Sequence, residues 1–144
     1  MTAYVLDASV AAKWFLPAKN EPLANEAMAL LSELRDATVR FAVPDLFWPE
    51  LGNVLLKAAR TGRIRLDLSE AALALARELP IITVPTKVLV SDALSIAAAF
   101  HRSIYEATYV SLALVIGSTL LTADERLANA LSTRFPVRWL GSLA

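Results

Sequence analysis

Residues 3–17 read AYVLDASVAAKWFLP and carry the strongest structural signal in the chain. The run from Ala3 to Leu6 is apolar throughout, which is typical of a buried strand, and it ends on Asp7. A helical pattern follows and stops at Pro17, because proline lacks the N–H that a helix interior needs. A buried strand followed directly by a helix is the repeating unit of parallel α/β sheets.

The same alternation of strand and helix continues to the end of the chain. Predicted strands cover residues 41–43, 81–84, 119–121 and 137–140, and a brief extended segment covers residues 103–105. Predicted helices cover residues 20–35, 45–61, 67–79, 91–100 and 106–116, with one more after residue 125. The strands are continuous apolar runs, as in strands that are covered on both faces. We therefore expect an α/β fold with three layers (α/β/α), a mainly parallel central sheet and one domain over residues 1–144.

Three segments resemble helix N-caps. Asp45 precedes the helix of residues 45–61 and can accept a hydrogen bond from its free N–H groups. The pairs Asp67 with Glu70 and Thr122 with Glu125 have the spacing of a capping box. These pairs predict helix starts directly after residues 67 and 122.

The composition excludes several classes of function. Hydrophobic residues make up 56% of the chain and charged residues 19%, which excludes a disordered protein. Fourteen basic residues balance fourteen acidic ones, which counts slightly against a nucleic-acid binder but permits a basic stripe beside an acidic pocket. The chain has no cysteine and one histidine, His101, so disulfides, thiol chemistry and an ordinary zinc site are excluded. A bound metal would need oxygen ligands, which Mg²⁺ and Mn²⁺ prefer.

The chain shows no pattern that predicts membrane insertion or export. Asp7 interrupts the first apolar run, and no basic segment precedes that run. Residues 107–123 lack charge, but polar side chains interrupt them and Gly117 separates a helical pattern from a strand pattern. We expect a soluble protein located in the cytoplasm.

Three acidic residues lie where parallel strands are expected to end. Asp7, Glu106 and Asp124 each stand at a predicted passage from strand to helix, and ligands of open α/β sheets bind at this edge. Each acid alone is explained equally well as a helix cap, worth about 0.3–1 kcal/mol. Three carboxylates together would repel one another unless a cation lies among them.

Glu50 differs from these three acids because it lies inside a predicted helix. It falls between an apolar face and a polar face of that helix. It is either an ordinary boundary residue with Lys57 nearby or a residue on the lip of the acidic pocket.

Four segments resemble the motifs of VapC-type PIN-domain toxins. The segment VLDASVAAKWFLP at residues 5–17 is similar to the opening motif, and VPDLFWPELGNVL at residues 43–55 resembles the second, with Glu50 at its acidic position. The segments IYEATYVSLA at residues 104–113 and LLTADERL at residues 120–127 resemble the third and fourth. The resemblance runs in order from Tyr4 to Trp139.

This resemblance implies a doubly wound sheet and an endonuclease that cleaves RNA with one or two Mg²⁺ or Mn²⁺ ions. It also implies a homodimer and a cognate VapB-like antitoxin protein that blocks the site. By the resemblance, the principal metal ligands are Asp7, Glu106 and Asp124.

The resemblance also assigns supporting roles around those ligands. Glu50 would hold a second metal or orient the attacking water. Ser9 and Thr122 would hydrogen-bond a ligand carboxylate or that water.

Glu106 departs from the family pattern, which normally has aspartate at this position. The longer side chain can still reach a metal after a small shift, or it can weaken metal binding. Asp92 is a possible substitute, although Ser91-Asp92 is better explained as a helix cap. A PIN-like binding or regulatory module with weak catalysis is therefore the alternative function. The chain lacks the acidic residues near Asp7 that receiver domains and haloacid-dehalogenase-type phosphatases require, so neither function is favoured.

Basic residues suggest a path for the substrate. Lys57 and Arg60 follow Glu50 on the same side of its helix, and Arg63 and Arg65 come just after its end. We expect these residues, with Lys13 on the other side of the pocket, to contact the RNA backbone. A solvated basic stripe explains the same pattern.

Aromatic residues near the motifs suggest a protein interface. Trp14, Phe15, Phe47 and Trp48 lie close to the acidic positions in sequence. Some belong to the core, and we expect the others to form an exposed patch that binds a second subunit or an antitoxin segment.

Overall fold

The computed structural model describes residues 1–143 and contains one five-stranded sheet. The strands are β1 (Thr2–Leu6), β2 (Val39–Pro44), β3 (Ile81–Val84), β4 (Thr119–Thr122) and β5 (Val137–Trp139). The helices are α1 (Ala8–Ala11), α2 (Ala24–Arg35), α3 (Phe47–Arg60), α4 (Leu66–Glu78), α5 (Val90–Phe100), α6 (Ile104–Ile116) and α7 (Glu125–Leu131). Short 3₁₀ turns cover Ala12–Trp14, Thr86–Val88 and Leu140–Leu143.

The strand order is β3-β2-β1-β4-β5, and every neighbouring pair is parallel. From β1 the chain moves outward through β2 to β3, and it then returns to the other side of β1 to form β4 and β5. Helices flank this sheet, so the predicted α/β class is confirmed. The chain reverses its winding between β1 and β4, and ligands of doubly wound sheets bind at such a point.

The centre of the sheet is fully buried, as the apolar runs predict. Val5 and Leu6 of β1 and Leu120 and Leu121 of β4 are inaccessible to solvent. Helix α6 packs against β1, β2 and β4. Because these central strands are fixed on both faces, the residues that follow them are held in defined positions.

Helix α2 begins later than the sequence pattern predicts. The pattern places its start at residue 20, but the helix starts at Ala24. Asn20 and Leu23 have φ angles of 65° and 59°, in the left-handed region that a right-handed helix cannot include. A loop therefore separates α2 from the first motif.

The predicted caps of α3 and α4 are wrong. The carboxylate of Asp45 accepts a hydrogen bond from the N–H of Thr86 at 3.1 Å and so ties α3's start to the segment after β3. Helix α4 already begins at Leu66, so Asp67 lies inside it and pairs with Arg65. In both cases the carboxylate binds a group outside the expected first turn of the helix: the N–H of Thr86 for Asp45 and the guanidinium of Arg65 for Asp67.

Helix α6 begins before the predicted position, and the extended segment at residues 103–105 is not formed. Ser103 caps the helix: its Oγ accepts from the N–H of Glu106 at 3.0 Å, and its own N–H donates to Glu106 Oε1 at 3.0 Å. Glu106 thus follows α5 through a short turn and does not stand at the end of a strand. At α7 the cap is Asp124, which accepts from the N–H of Leu127, and the predicted capping box from Thr122 is absent.

Within residues 1–143, no helix combines the length and the apolar character that crossing a bilayer requires.

Candidate active site

Residues from all four motifs line one small pocket at the carboxyl edge of the sheet. Its volume is about 160 Å³. Its lining residues are Asp7, Ser9, Glu50, Glu106, Tyr109, Leu120, Asp124 and Leu127. The structure thus brings together the four acidic residues singled out from the sequence, although they are spread over more than a hundred positions.

Asp7 lies where β1 passes into α1 and is held from two sides. The hydroxyl of Thr122 donates to Asp7 Oδ2 at 2.8 Å, and the N–H of Ser9 donates to Asp7 Oδ1 at 3.3 Å. Burial raises the pKa of Asp7 above its ordinary value, and these hydrogen bonds lower it only in part. Repulsion from the carboxylate of Asp124 adds to the rise.

Ser9 and Thr122 join the ends of β1 and β4. Ser9 Oγ accepts a hydrogen bond from the N–H of Ala123 at 3.1 Å. Thr122 Oγ1 accepts one from the N–H of Asp124 at 3.1 Å while it donates to Asp7. Thr122 is fully buried and does not line the pocket itself, so it acts on the pocket through Asp7.

Glu50 lies in the first turn of α3 and faces α6. The hydroxyl of Tyr109 donates to Glu50 Oε1 at 2.6 Å. Burial raises the pKa of Glu50 above its ordinary value, the hydrogen bond from Tyr109 lowers it in part, and repulsion adds to the rise. That repulsion comes from Asp7 and Glu106. Glu50 therefore belongs to the pocket, and within residues 1–143 it forms no ion pair with Lys57.

Glu106 and Asp124 also line the pocket, but their carboxylates serve as helix caps. Glu106 accepts from the N–H of Ser103, and Asp124 accepts from the N–H of Leu127 at 3.1 Å. Asp92 is exposed in the first turn of α5 and does not line the pocket. Of the two candidates for the third acidic position, the structure therefore places Glu106 at the site.

Tyr109 is the pocket residue that the sequence reasoning missed. It lies three residues after Glu106 on α6, and residues three apart on a helix share a face. That spacing within the third motif is the signal that points to it. Burial raises the pKa of Tyr109 far above its ordinary value, and the negative charges of Asp7 and Glu50 add to this rise. The hydroxyl therefore stays protonated and can donate to Glu50 at all ordinary pH values.

The donor chemistry of the pocket suits a hard divalent cation. Four carboxylates line it with no nitrogen or sulfur ligand, and burial, with a further contribution from repulsion among them, raises the pKa values of Asp7 and Glu50. The side chains do not converge as placed: within residues 1–143, no group of three or more His, Cys, Asp or Glu side chains is close enough to hold a metal ion. Two of the four carboxylates, those of Glu106 and Asp124, are instead engaged in helix caps.

The basic residues divide into paired and unpaired groups. Lys13 is only 8% exposed and donates to Glu21 Oε2 at 2.7 Å, so the prediction that it contacts RNA is wrong. Arg63 also pairs with Glu21, at 3.0 Å, and Arg65 pairs with Asp67. Lys57 and Arg60, which are exposed, form no ion pair within the described residues.

The expected aromatic patch near the motifs is not exposed. Trp14 and Phe47 are buried, and Phe15 and Trp48 pack against the core. The first motif and the start of α3 use these rings to fill the interior. Other exposed apolar side chains lie on β3 and the segment around α5 (Ile82, Val88, Val90, Leu94) and at the end of α6 (Leu114, Val115, Ile116).

An apolar groove lies between α3 and α4. Its volume is about 470 Å³, and it is lined by Trp48, Pro49, Gly52, Leu73 and Arg77. Pro49 directly precedes Glu50, so the first turn of α3 contributes one residue to this groove and another to the acidic pocket.

The chain matches known proteins in sequence and in fold. The PIN domain family matches residues 4–130. Ribonuclease VapC3 of Pyrobaculum aerophilum is 33% identical over 130 residues, which cover 87% of this chain and 92% of that protein.

Solved structures share the fold at lower identity. Protein PAE2754 of Pyrobaculum aerophilum superposes with a TM-score of 0.68 at 21% identity, covering 99% of this chain and 92% of that one. VapC20 of Mycobacterium tuberculosis, described as a toxin that cleaves the sarcin–ricin loop, gives a TM-score of 0.64 at 15% identity and covers 89% and 95%. VapBC2 of Rickettsia felis, solved with a DNA fragment of its promoter, gives 0.62 at 11% identity and covers 96% and 98%. The family match, the VapC3 identity and the fold agree with the motif resemblance: the chain belongs to the PIN-domain family and is a homologue of the VapC-type ribonucleases.

Proposed function

We propose that this protein is a metal-dependent endoribonuclease that acts as the toxin of a VapBC-like toxin–antitoxin pair. One observation carries the proposal: the acidic residues of the four motifs line a single pocket at the switch point of the sheet. The 33% identity to Ribonuclease VapC3 supports the same activity.

Asp7, Glu50, Glu106 and Asp124 would hold one or two Mg²⁺ or Mn²⁺ ions. When bound, such an ion polarises the scissile phosphate and makes a bound water a stronger nucleophile. In this proposal a bound cation relieves the repulsion among the four carboxylates. This gain outweighs a cap hydrogen bond, so the side chains of Glu106 and Asp124 leave their helix caps to bind the cation.

The other pocket residues would keep the carboxylates in place. Thr122 and Ser9 orient Asp7 by the hydrogen bonds described above. Tyr109 orients Glu50, whose raised pKa makes its carboxylate a stronger base than an exposed glutamate. Glu50 would either hold a second ion or orient the attacking water and accept its proton.

Two partners are proposed beside the RNA substrate. Relatives with this fold have been crystallised as toxin–antitoxin complexes from Rickettsia felis and Klebsiella pneumoniae. We propose that a VapB-like antitoxin places an apolar segment in the groove between α3 and α4, which shares the first turn of α3 with the pocket. A homodimer would bury the apolar side chains on α5 and at the end of α6.

The alternative is a PIN-like binding or regulatory module with weak catalysis. The capping bond of Glu106 favours it, because a glutamate that remains on Ser103 is lost as a metal ligand. Under this alternative the protein binds RNA but cleaves it slowly with any cation.

Cleavage of RNA by the purified protein tests the proposal. We expect cleavage in Mg²⁺ or Mn²⁺, its loss in EDTA and its return when the metal is restored. The variant Asp7→Asn should be inactive, and Asp92→Asn, which changes an exposed carboxylate outside the pocket, should match the parent. Undiminished cleavage in EDTA would contradict metal dependence.

A further inference from the structure

Tyr105 is an exposed aromatic side chain that the proposed chemistry leaves without a role. It is 61% exposed and lies in the first turn of α6, directly before Glu106. Isolated apolar residues on a surface are common and need no explanation. Tyr105 differs from such isolated residues because it directly precedes Glu106, which lines the pocket.

Helical geometry places Tyr105 at the rim of the pocket. Residues four apart on a helix lie on the same face, so Tyr105 lies one turn from Tyr109 towards the start of α6. Tyr109 and Glu106 both line the pocket. Tyr105 therefore continues the pocket-facing stripe of α6 outward, about 6 Å along the helix axis from Tyr109.

A cation without an ion-pair partner lies three residues before this ring. Arg102 is half-buried in the turn between α5 and α6, its Nε donates to the carbonyl oxygen of His101 at 3.1 Å, and it forms no ion pair within residues 1–143. The segment from Arg102 to Tyr105 thus carries a positive charge and an exposed aromatic ring directly before Glu106, which lines the acidic pocket. Unpaired nucleotides combine the two complementary features, a base with a π face and a negative phosphate.

We propose that Tyr105 stacks on an unpaired base of the RNA next to the scissile phosphate, with Arg102 neutralising a neighbouring phosphate. This inference rests on the proposed ribonuclease function and names the substrate as single-stranded RNA at this point. Tyr105 is a substrate-positioning residue in this proposal, because its ring holds the strand and takes no part in the reaction.

Binding is measured with a fluorescein-labelled single-stranded RNA roughly 12 nucleotides long, in an Asp7→Asn background so that the probe stays intact. Tyr105→Ala should weaken binding about 5- to 150-fold, the range that loss of one base–aromatic stack gives. Tyr105→Phe should bind like the parent, because stacking needs the ring and not the hydroxyl. Leu75→Ala is the matched control: Leu75 is 63% exposed on α4, away from the pocket, and its loss should change nothing.

Three further measurements separate stacking from a structural role. RNA that carries 5-iodouridine should crosslink to Tyr105 on irradiation. Duplex RNA of the same sequence should bind Tyr105→Ala as well as the parent, because its base faces are covered. With Asp7 intact, Tyr105→Ala should raise KM for single-stranded RNA and leave kcat and the melting temperature unchanged.

Several outcomes overturn the inference. Unchanged binding of single-stranded RNA by Tyr105→Ala, an equal loss in Tyr105→Phe, or an equal loss for duplex RNA would each exclude stacking. If the parent cleaves RNA while Tyr105→Ala is unaffected, only this inference fails. If the parent neither binds nor cleaves RNA, the proposed function fails with it.

Discussion

The hydroxyl of Tyr109 donates to Glu50 Oε1 at 2.6 Å, across the pocket between α6 and α3. The two residues are 59 positions apart in the chain. Tyr109 is buried and stays protonated, while Glu50 faces the like charges of Asp7 and Glu106. The hydrogen bond therefore stabilises a carboxylate whose surroundings otherwise favour its neutral form.

Tyr109→Phe should destabilise the protein at neutral pH by roughly 1.5–3 kcal/mol, the usual contribution of a hydrogen bond to a charged group. The pKa of Glu50 is already raised in the folded state, and it rises further when Tyr109 no longer donates. The loss should therefore be largest above that pKa and shrink as the pH falls and Glu50 takes up a proton. Urea unfolding of parent and variant at several pH values without metal measures this.

Tyr4→Phe is the control for that experiment, because it removes a hydroxyl from β1 outside the pocket. It should cost little at any pH. A Tyr109→Phe loss that does not depend on pH would show that Glu50 does not gain from the hydroxyl.

Glu106→Gln should abolish most cleavage and leave the melting temperature nearly unchanged. Glutamine keeps the capping box with Ser103, so only the negative charge is lost. Glu106→Asp should retain a substantial fraction of activity, because it keeps the charge and restores the residue usual in the family. Asp92→Asn should be almost silent in both measurements. Full activity in Glu106→Gln, with a dead Asp92→Asn, would assign the third acidic position to Asp92.

Glu21→Gln should destabilise the protein by roughly 1.5–3 kcal/mol, the usual contribution of a hydrogen bond to a charged group, because Lys13 keeps the carbonyl oxygen of Pro22 as an acceptor. The side chains of Glu21 and Lys13 are both only 8% exposed, and that of Arg63, which shares the same carboxylate, is 37% exposed. Burial alone would raise the pKa of Glu21, but Lys13 and Arg63 outweigh it and hold the pKa below its ordinary value. This stabilisation is present above the unfolded pKa of glutamate and is lost as the pH falls through the lower folded pKa.

Unfolding free energies from pH 7 down into the acid range check the size and the sign of this effect. Asp67→Asn is the control, because the Asp67–Arg65 pair is solvent-exposed and should contribute at most about 1 kcal/mol. Equal losses in the two variants would contradict a special role for the buried group.

Replacing Lys57 and Arg60 together by glutamine should weaken RNA binding and flatten its dependence on salt. Each phosphate contact to a single strand contributes about 0.7 to the slope of log K against log salt, so the slope should fall by about 1.4. Arg35 and Arg40 provide a charge-matched control near the amino ends of the strands, on the opposite edge of the sheet. A slope unchanged in the first double variant would remove Lys57 and Arg60 from the RNA interface.

The parent should sediment as a dimer at tens of micromolar, a concentration-dependent expectation. Leu94→Asp with Val115→Asp should yield a folded monomer, because both side chains are exposed apolar groups on the proposed interface. Met28→Asp, an exposed position on α2, is the control and should leave the dimer intact. A parent that remains monomeric would exclude the proposed assembly.

Much of the architecture follows from local pattern. The central strands β1 and β4 contain short apolar runs, a pattern typical of strands that are covered on both faces. The motif at residues 5–17 also predicts that Asp7 ends β1 at the ligand-binding edge, and the structure confirms this position. The family resemblance is confirmed as well, because it rests on the order of such local motifs.

Local sequence pattern could not predict the contacts between residues that are distant in the chain. Asp45 has the spacing of an N-cap, yet it binds the N–H of Thr86, 41 residues away. The sequence pattern places Lys13 in the RNA path, but Lys13 is buried and donates to Glu21 and to the carbonyl oxygen of Pro22. Periodicity shows which residues face inward, but the group that meets a given side chain depends on how the helices pack.

The acidic pocket likewise combines features that local sequence pattern predicts with contacts that only the fold creates. Composition and motif order predict an oxygen-only ligand set, since they depend on residue type and on position relative to strand ends. The partner of each carboxylate depends on contacts across the fold: Thr122 with Asp7, Tyr109 with Glu50 and Ser103 with Glu106. The first two contacts join segments that approach each other only when β4 pairs with β1 and α6 packs against the sheet. The hydrogen bonds that orient these side chains therefore form only in the folded chain.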